Sequence, residues 1–139
     1  MENDEFDYKQ YYSELYTEGK YSEEMEELDY PLQLRRFQTL LCLMKPKRGG
    51  RLLDIGTGKG KLLELAIRKG LEAHGIEVSD PRINECIKKG LNVKYGDVYA
   101  IPFSDDYFDY VVISEVLEHL ESPSKAISEI HRVLKWGGW

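Results

Sequence analysis

Apolar positions along the chain change their period near residue 50. Before it, Leu32, Leu34, Phe37, Leu40, Leu41 and Met44 recur at helical intervals, and Pro31 suits the first turn of the helix they predict. That helix should stop before Pro46, and KPKRGG (45–50) reads as a loop. Further upstream, residues 5–28 mix aromatic and acidic side chains at looser helical spacing, with a break at Gly19. After residue 50, short apolar runs alternate with amphipathic stretches. RLLDI (51–55), EAHGIEV (72–78), NVKYG (92–96) and FDYVVIS (108–114) read as four strands, the last apolar throughout and so expected to be buried on both faces. Between them lie a helix over 60–69 closed by Gly70, and one running from an Asp80 N-cap and Pro81 to Lys89, closed by Gly90. Residues 115–120 start a short helix. Ser122 and Pro123 open another, whose Ala126, Ile127, Ile130, Val133 and Leu134 share a face. This order implies parallel strands with right-handed crossovers, an α/β doubly wound sheet.

Composition narrows the function classes. A chain of 139 residues with 42% hydrophobic residues can bury a core without disulfide or metal staples. No apolar stretch approaches the about 18 residues that a membrane span needs, and the acidic N-terminus is the opposite of a signal peptide. Cys42 and Cys86 stand in no metal or redox spacing, which points to reduced thiols and a cytoplasmic location. The net charge of −6 is uneven: residues 1–30 carry −9 and the rest +3. Such a balance argues against non-specific DNA binding, while a nucleic-acid substrate is neither excluded nor indicated. The acidic arm reads as a solvated helical face.

The sharpest chemical signal is Asp54-Ile55-Gly56-Thr57-Gly58-Lys59-Gly60, between the first strand and its helix. Glycines here let a ligand lie against bare backbone, and the helix beyond offers unpaired N–H groups. The loop falls at the carboxyl end of a central strand, where open α/β sheets bind ligands. Glu77 ends the second strand, where a carboxylate can accept from ribose hydroxyls, and Asp97 follows the third beside the same crevice. A dinucleotide site is disfavoured, because its G-x-G-x-x-G fingerprint meets Lys61 at the sixth position.

Four blocks in order now carry a resemblance: LLDIGTGKGKLLELA (52–66), GIEVS (75–79), GDVYAIPFSDDYFDYVVISEVLEHL (96–120) and EIHRVLKWGG (129–138). Together they resemble the class I S-adenosylmethionine-dependent methyltransferases, of the type 11-like branch. The resemblance implies a Rossmann-like core over 51–139, mainly parallel in the order 3-2-1-4, and an N-terminal helical cap over 1–50. It implies S-adenosylmethionine as cofactor. Asp54, Gly56, Gly58 and Gly60 would hold its methionine portion and Glu77 its ribose, with Val78 packing on the adenine. Asp97 would meet the adenine amino group, the Val98 N–H a ring nitrogen, and Ser114 would line the pocket near the sulfonium. Tyr11, Tyr12 and Tyr16 are candidates for closing it, although packing is the commoner use of such residues. Trp136 stands where the family has proline.

Glu115, Glu118 and His119 leave alternatives open. On a helix the three would share a face and offer a metal three ligands. The other readings are a base role for His119 and ordinary pocket lining. His74 and His131 read as structural, and Lys59 and Lys61 as solvated. The family fold has seven strands in the order 3-2-1-4-5-7-6, of which this chain is expected to supply four. The fourth then becomes an apolar edge, to be covered by a second copy, a partner or the N-terminal helices. Two function classes follow: a methyltransferase acting on a small-molecule acceptor, and a non-catalytic cofactor-binding or partner-subunit module.

Overall fold

Strands Arg51–Ile55 (β1), Glu72–Glu77 (β2), Val93–Tyr95 (β3) and Tyr110–Ile113 (β4) pair in the order β3-β2-β1-β4, all parallel. The structure is a computed structural model and describes residue 10 and residues 23–139. Around the sheet lie Glu23–Met44 (α1), Lys61–Arg68 (α2), Asp80–Lys88 (α3), a single 3₁₀ turn at Leu117–His119, and Pro123–Val133 (α4). Tyr11, Tyr12, Tyr16 and Gly19 fall outside the described residues.

Successive β1 residues serve opposite faces. Leu52 joins Leu41 and Met44 of α1, Leu62, Leu63 and Ala66 of α2, and Ile83 and Cys86 of α3 in one core layer. Leu53 and Ile55 join Ile76, Val98, Ile101, Phe108, Ala126 and Val133 in the other. A strand covered twice needs apolar residues on both faces, which is why β1 shows no polar alternation. Each fully buried leucine contributes roughly 1.5–3 kcal/mol. Helices α2 and α3 end alike. Leu71 N–H returns to the Ala66 carbonyl and Leu91 N–H to that of Cys86, at 3.1 and 3.0 Å, closing each helix on a glycine turn before the next strand.

Several expectations are corrected. Pro31 lies inside α1, which begins eight residues earlier. Tyr30, Pro31 and Leu32 are all exposed there, so water can take the carbonyl that proline leaves without a donor. The N-cap of α3 is Ser79, with Asp80 already in the first turn. Helix α2 starts after an N-cap at Gly60, and β2 and β3 are shorter than their apolar runs by one residue at Val78 and by Asn92 and Gly96. β4 is not buried on both faces: only Val112 is buried, because this strand is an edge. Ile127 is exposed, on the outer side of α4. Part of that edge is met by the chain itself. Trp139 donates its N–H to the Asp109 carbonyl at 3.0 Å, and its carbonyl accepts from Val111 N–H at 2.9 Å. The described N-terminal helix packs elsewhere, against α2. No helix among the described residues is long and apolar enough to cross a membrane.

Candidate functional site

Register places the candidate residues in one row. Ile55 pairs with Ile76 on one side and Ile113 on the other, so Gly56, Glu77 and Ser114 follow at the same level of the sheet. The glycine loop bends back over β2: Gly56 N–H and Thr57 N–H both donate to the Ile76 carbonyl, at 2.9 and 3.2 Å. Gly60, at φ +80°, begins α2 in the left-handed region, and a Cβ there would stand 2.3 Å from Leu91 Cδ1. Gly58 also has positive φ, +55°, yet a Cβ on it would meet nothing within 4 Å. The loop therefore shows an open face at Gly58 and a packed one at Gly60.

Glu77 is 7% exposed and its carboxylate is well supplied with donors. Oε2 accepts from Gly58 N–H at 2.9 Å, and Oε1 from Val78 N–H at 2.7 Å and Ser79 N–H at 3.1 Å. These bonds leave roughly one of the about four acceptor positions of a carboxylate for another donor. Asp54 is 4% exposed at the end of β1, and its carboxyl is pushed up to about 7, first by burial and then by the Glu77 charge. Gly96 N–H donates to the Glu77 carbonyl at 3.2 Å, which brings Asp97 to the same end of the sheet. One Asp97 oxygen accepts from Tyr99 N–H at 2.9 Å, and Val98 is buried in the core beneath it. Val78 is half-buried beside Glu77.

On the β4 side, Ser114 is half-buried, and Val116 closes on the loop so that a Cβ on Gly56 would strike its Cγ2 at 2.5 Å. The three-residue set beyond it does not form the expected helical face. Glu115 takes φ +57° and precedes the 3₁₀ turn, so it lies outside the helix that would align it with Glu118 and His119. Its carboxylate pairs instead with Arg36 of α1. Glu118 and His119 lie 3.9 Å apart, both exposed. Among the described residues no three His, Cys, Asp or Glu gather as a metal ion would require.

Lys61 is engaged where solvation was expected, its Nζ 4.4 Å from the centre of the Tyr30 ring. The Lys59 carbonyl accepts from Lys89 Nζ at 2.8 Å. His74 is buried in β2 between Glu72 and Asn92, both at 2.9 Å, and His131 is exposed on α4. Two residues that the sequence reading passed over support the loop. Thr57 Oγ1 donates to the Asp54 carbonyl at 3.0 Å, and Cys86 Sγ to the Gly58 carbonyl at 3.2 Å. Burial pushes that thiol up to about 11, so it stays protonated as a donor. The signals for them are a hydroxyl inside the glycine run at Thr57 and, for Cys86, its place three after Ile83 on the buried face of α3.

An adenosine-bearing cofactor carrying an ammonium group fits these residues. The space beside the Gly58 Cα is open, Glu77 keeps an acceptor position, and Asp54 is a buried carboxyl to whose raised pKa no hydrogen bond contributes.

The sequence profile of a family described as a methyltransferase domain matches residues 53–139. A ubiquinone biosynthesis O-methyltransferase of Methylococcus capsulatus is 32% identical over 115 residues, 78% of this chain and 47% of that one. A ubiquinone/menaquinone biosynthesis C-methyltransferase of a Ruegeria species is 30% identical over 105 residues, 68% of this chain and 42% of that one. Among solved structures, a complex of the Haloferax volcanii Trm112 methyltransferase activator with a methyltransferase superposes with a TM-score of 0.74 at 26% identity. It covers 84% of this chain and 54% of that one. The chain thus spans about half the length of the relatives it matches, or less.

Proposed function

We propose, from the premise that this chain belongs to the class I S-adenosylmethionine-dependent methyltransferase family, that its carboxyl-end crevice binds S-adenosylmethionine for methyl transfer to a small-molecule acceptor. The observation that carries the reading is the Glu77 carboxylate bonded to Gly58 N–H and close enough to the buried Asp54 to raise its pKa, two acids from two strand ends. Asp54, Gly56, Gly58 and Gly60 hold the methionine portion in this reading. Glu77 accepts from the ribose and Val78 packs on the adenine. Asp97 accepts from the adenine amino group, Val98 N–H addresses a ring nitrogen, and Ser114 lines the pocket where the methyl leaves.

S-adenosylmethionine, when bound, supplies a methyl group already made electrophilic by its sulfonium. The chain's own work is orientation and exclusion of water, worth up to ~7–11 kcal/mol in ideal cases. His119 is the proton acceptor for a substrate that must lose one, a role its exposed position in the 3₁₀ turn after β4 supports. Residues 1–50 act as a cap, an assignment that the Tyr30–Lys61 and Arg36–Glu115 contacts support. The two relatives are named for carbon and oxygen methylation, so the reading commits to a small molecule and not to one acceptor atom. A second copy or a partner covers the rest of the β4 edge. The free thiols of Cys42 and Cys86 suit a reducing compartment, and the reading places the protein in the cytoplasm.

Calorimetry with S-adenosylmethionine and S-adenosylhomocysteine tests this. Both should bind below about millimolar concentration, a binding free energy near 4 kcal/mol or better. Absence of heat at millimolar ligand would sink the reading.

A further inference from the structure

The segment between β3 and β4 carries Asp97 and Val98 at its start, and α4 holds it at both ends. Ser122 N–H, at the N-cap of α4, donates to Tyr99 Oη at 3.0 Å. Three turns later Arg132 reaches the same segment. Its guanidinium gives Nε and Nη2 to the two Glu129 oxygens at 2.7 and 2.8 Å. Nη1 goes to the Phe103 carbonyl at 2.9 Å and Asp105 Oδ1 at 2.7 Å, and Nη2 again to the Ile101 carbonyl at 2.9 Å. Every donor of the planar fork is thereby used. Glu129 Oε2 in turn accepts from Ile101 N–H at 2.8 Å, so both backbone groups of Ile101 end on this one pair. The Arg132 bond is the first cause holding the Glu129 carboxyl below its usual range.

Ile101 is tied to the candidate residues upstream. Ala100 N–H donates to the Asp97 carbonyl at 3.0 Å, making 97–100 a closed turn, and Val98 and Ile101 are buried in the same core layer. A shift of the Ile101 peptide therefore moves the turn on which Asp97 is mounted. We propose that Arg132 and Glu129 are positioning residues that set the placement of Asp97 and Val98, and through them the preference of the crevice for an adenine-bearing ligand. The inference rests on the cofactor reading above. An ion pair serving only stability needs no bond to the loop backbone, whereas here three of the bonds end on backbone groups of residues 101 and 103.

The test compares S-adenosylhomocysteine with its hypoxanthine counterpart, which replaces the amino group by a carbonyl, on the full chain by calorimetry. The wild type should prefer the adenine ligand by about tenfold or more, the worth of one misplaced polar pair. Arg132→Met should lose about tenfold in affinity for the adenine ligand while leaving the hypoxanthine ligand within about twofold. On an Asp97→Ala background, Arg132→Met should add almost nothing, the mark of two residues acting as one unit. Amide exchange at Ile101 should quicken in the variant.

An equal loss for both ligands, or an intact preference, overturns the proposal and leaves the cofactor reading standing. A wild type that binds neither ligand overturns the cofactor reading first. If circular dichroism shows Arg132→Met unfolded, Glu129→Gln carries the same comparison. It keeps the side chain's size while removing the charge and one acceptor, and it should narrow the preference in the same direction.

Discussion

Asp54 joins protonation to ligand binding in a single side chain. Its carboxyl sits near 3.8 in an unfolded chain and is pushed up to about 7 in the fold, by burial first and Glu77 second. The folded state therefore holds this proton more tightly. The stability it contributes is full below the unfolded value and is lost as pH rises through about 7, a span of roughly 4 kcal/mol at 1.36 per unit. A cationic ligand group reverses the preference, because it favours the carboxylate. Affinity for S-adenosylhomocysteine should thus rise up to about tenfold per pH unit below 7 and flatten above it, with proton release visible as a buffer-dependent heat. Asp54→Asn should bind more weakly and show a flat profile, and a slope that survives the substitution would remove Asp54 from the site. Glu77→Gln keeps the shape and loses the charge. It should weaken cofactor binding by about tenfold or more, the worth of a charge-assisted bond. Unchanged affinity would refute its ribose role. That Glu77 stands at a strand end was legible in Gly-Ile-Glu-Val-Ser. Its bond to Gly58 was not, because a contact across 19 residues depends on how the loop folds back over β2.

The glycine loop supplies the test at the scale of an element, since two glycines only two residues apart have opposite surroundings. Gly60 is packed: a Cβ would meet Leu91 Cδ1 at 2.3 Å and Cys86 Sγ at 3.2 Å, on top of a left-handed backbone. Gly58 is open, and alanine there suffers only the backbone penalty of about 1–2 kcal/mol. Urea unfolding should therefore show Gly60→Ala as the larger loss of stability. Gly58→Ala should keep most of its stability and lose cofactor affinity instead, because its methyl fills the space the ligand needs. Equal midpoints for the two variants would contradict this picture of the loop. Elements themselves were legible where apolar runs ended on glycine or an acid, as the first three strands did. The misses share a cause, namely neighbours remote in sequence. Pro31 marks no helix start because its side of α1 faces water. Glu115 breaks the expected short helix because a left-handed residue there, with no glycine to announce it, turns its carboxylate toward Arg36.

At the scale of the molecule the two sheet edges of this chain differ. β3 carries Lys94 in its three residues, a charge of the kind that blunts an edge. β4, Tyr-Val-Val-Ile, carries none, and its pairing with β1 keeps it extended. The resemblance made this edge legible in advance, but not its partial cover by Trp139, since a single pairing residue has no periodicity to read. The Val111 N–H points away from β1, toward Trp139, so proline at 111 removes an outward donor and leaves the inward ladder to β1 in place. If β4 is the surface through which copies meet, sedimentation of the wild type should show a concentration-dependent dimer. Val111→Pro removes the bond to Trp139 and should cost about 1 kcal/mol of stability, read by urea unfolding. A wild type that stays monomeric at high concentration would exclude the second copy as the cover. An unchanged unfolding midpoint for Val111→Pro would show that the Trp139 pairing does not hold this edge.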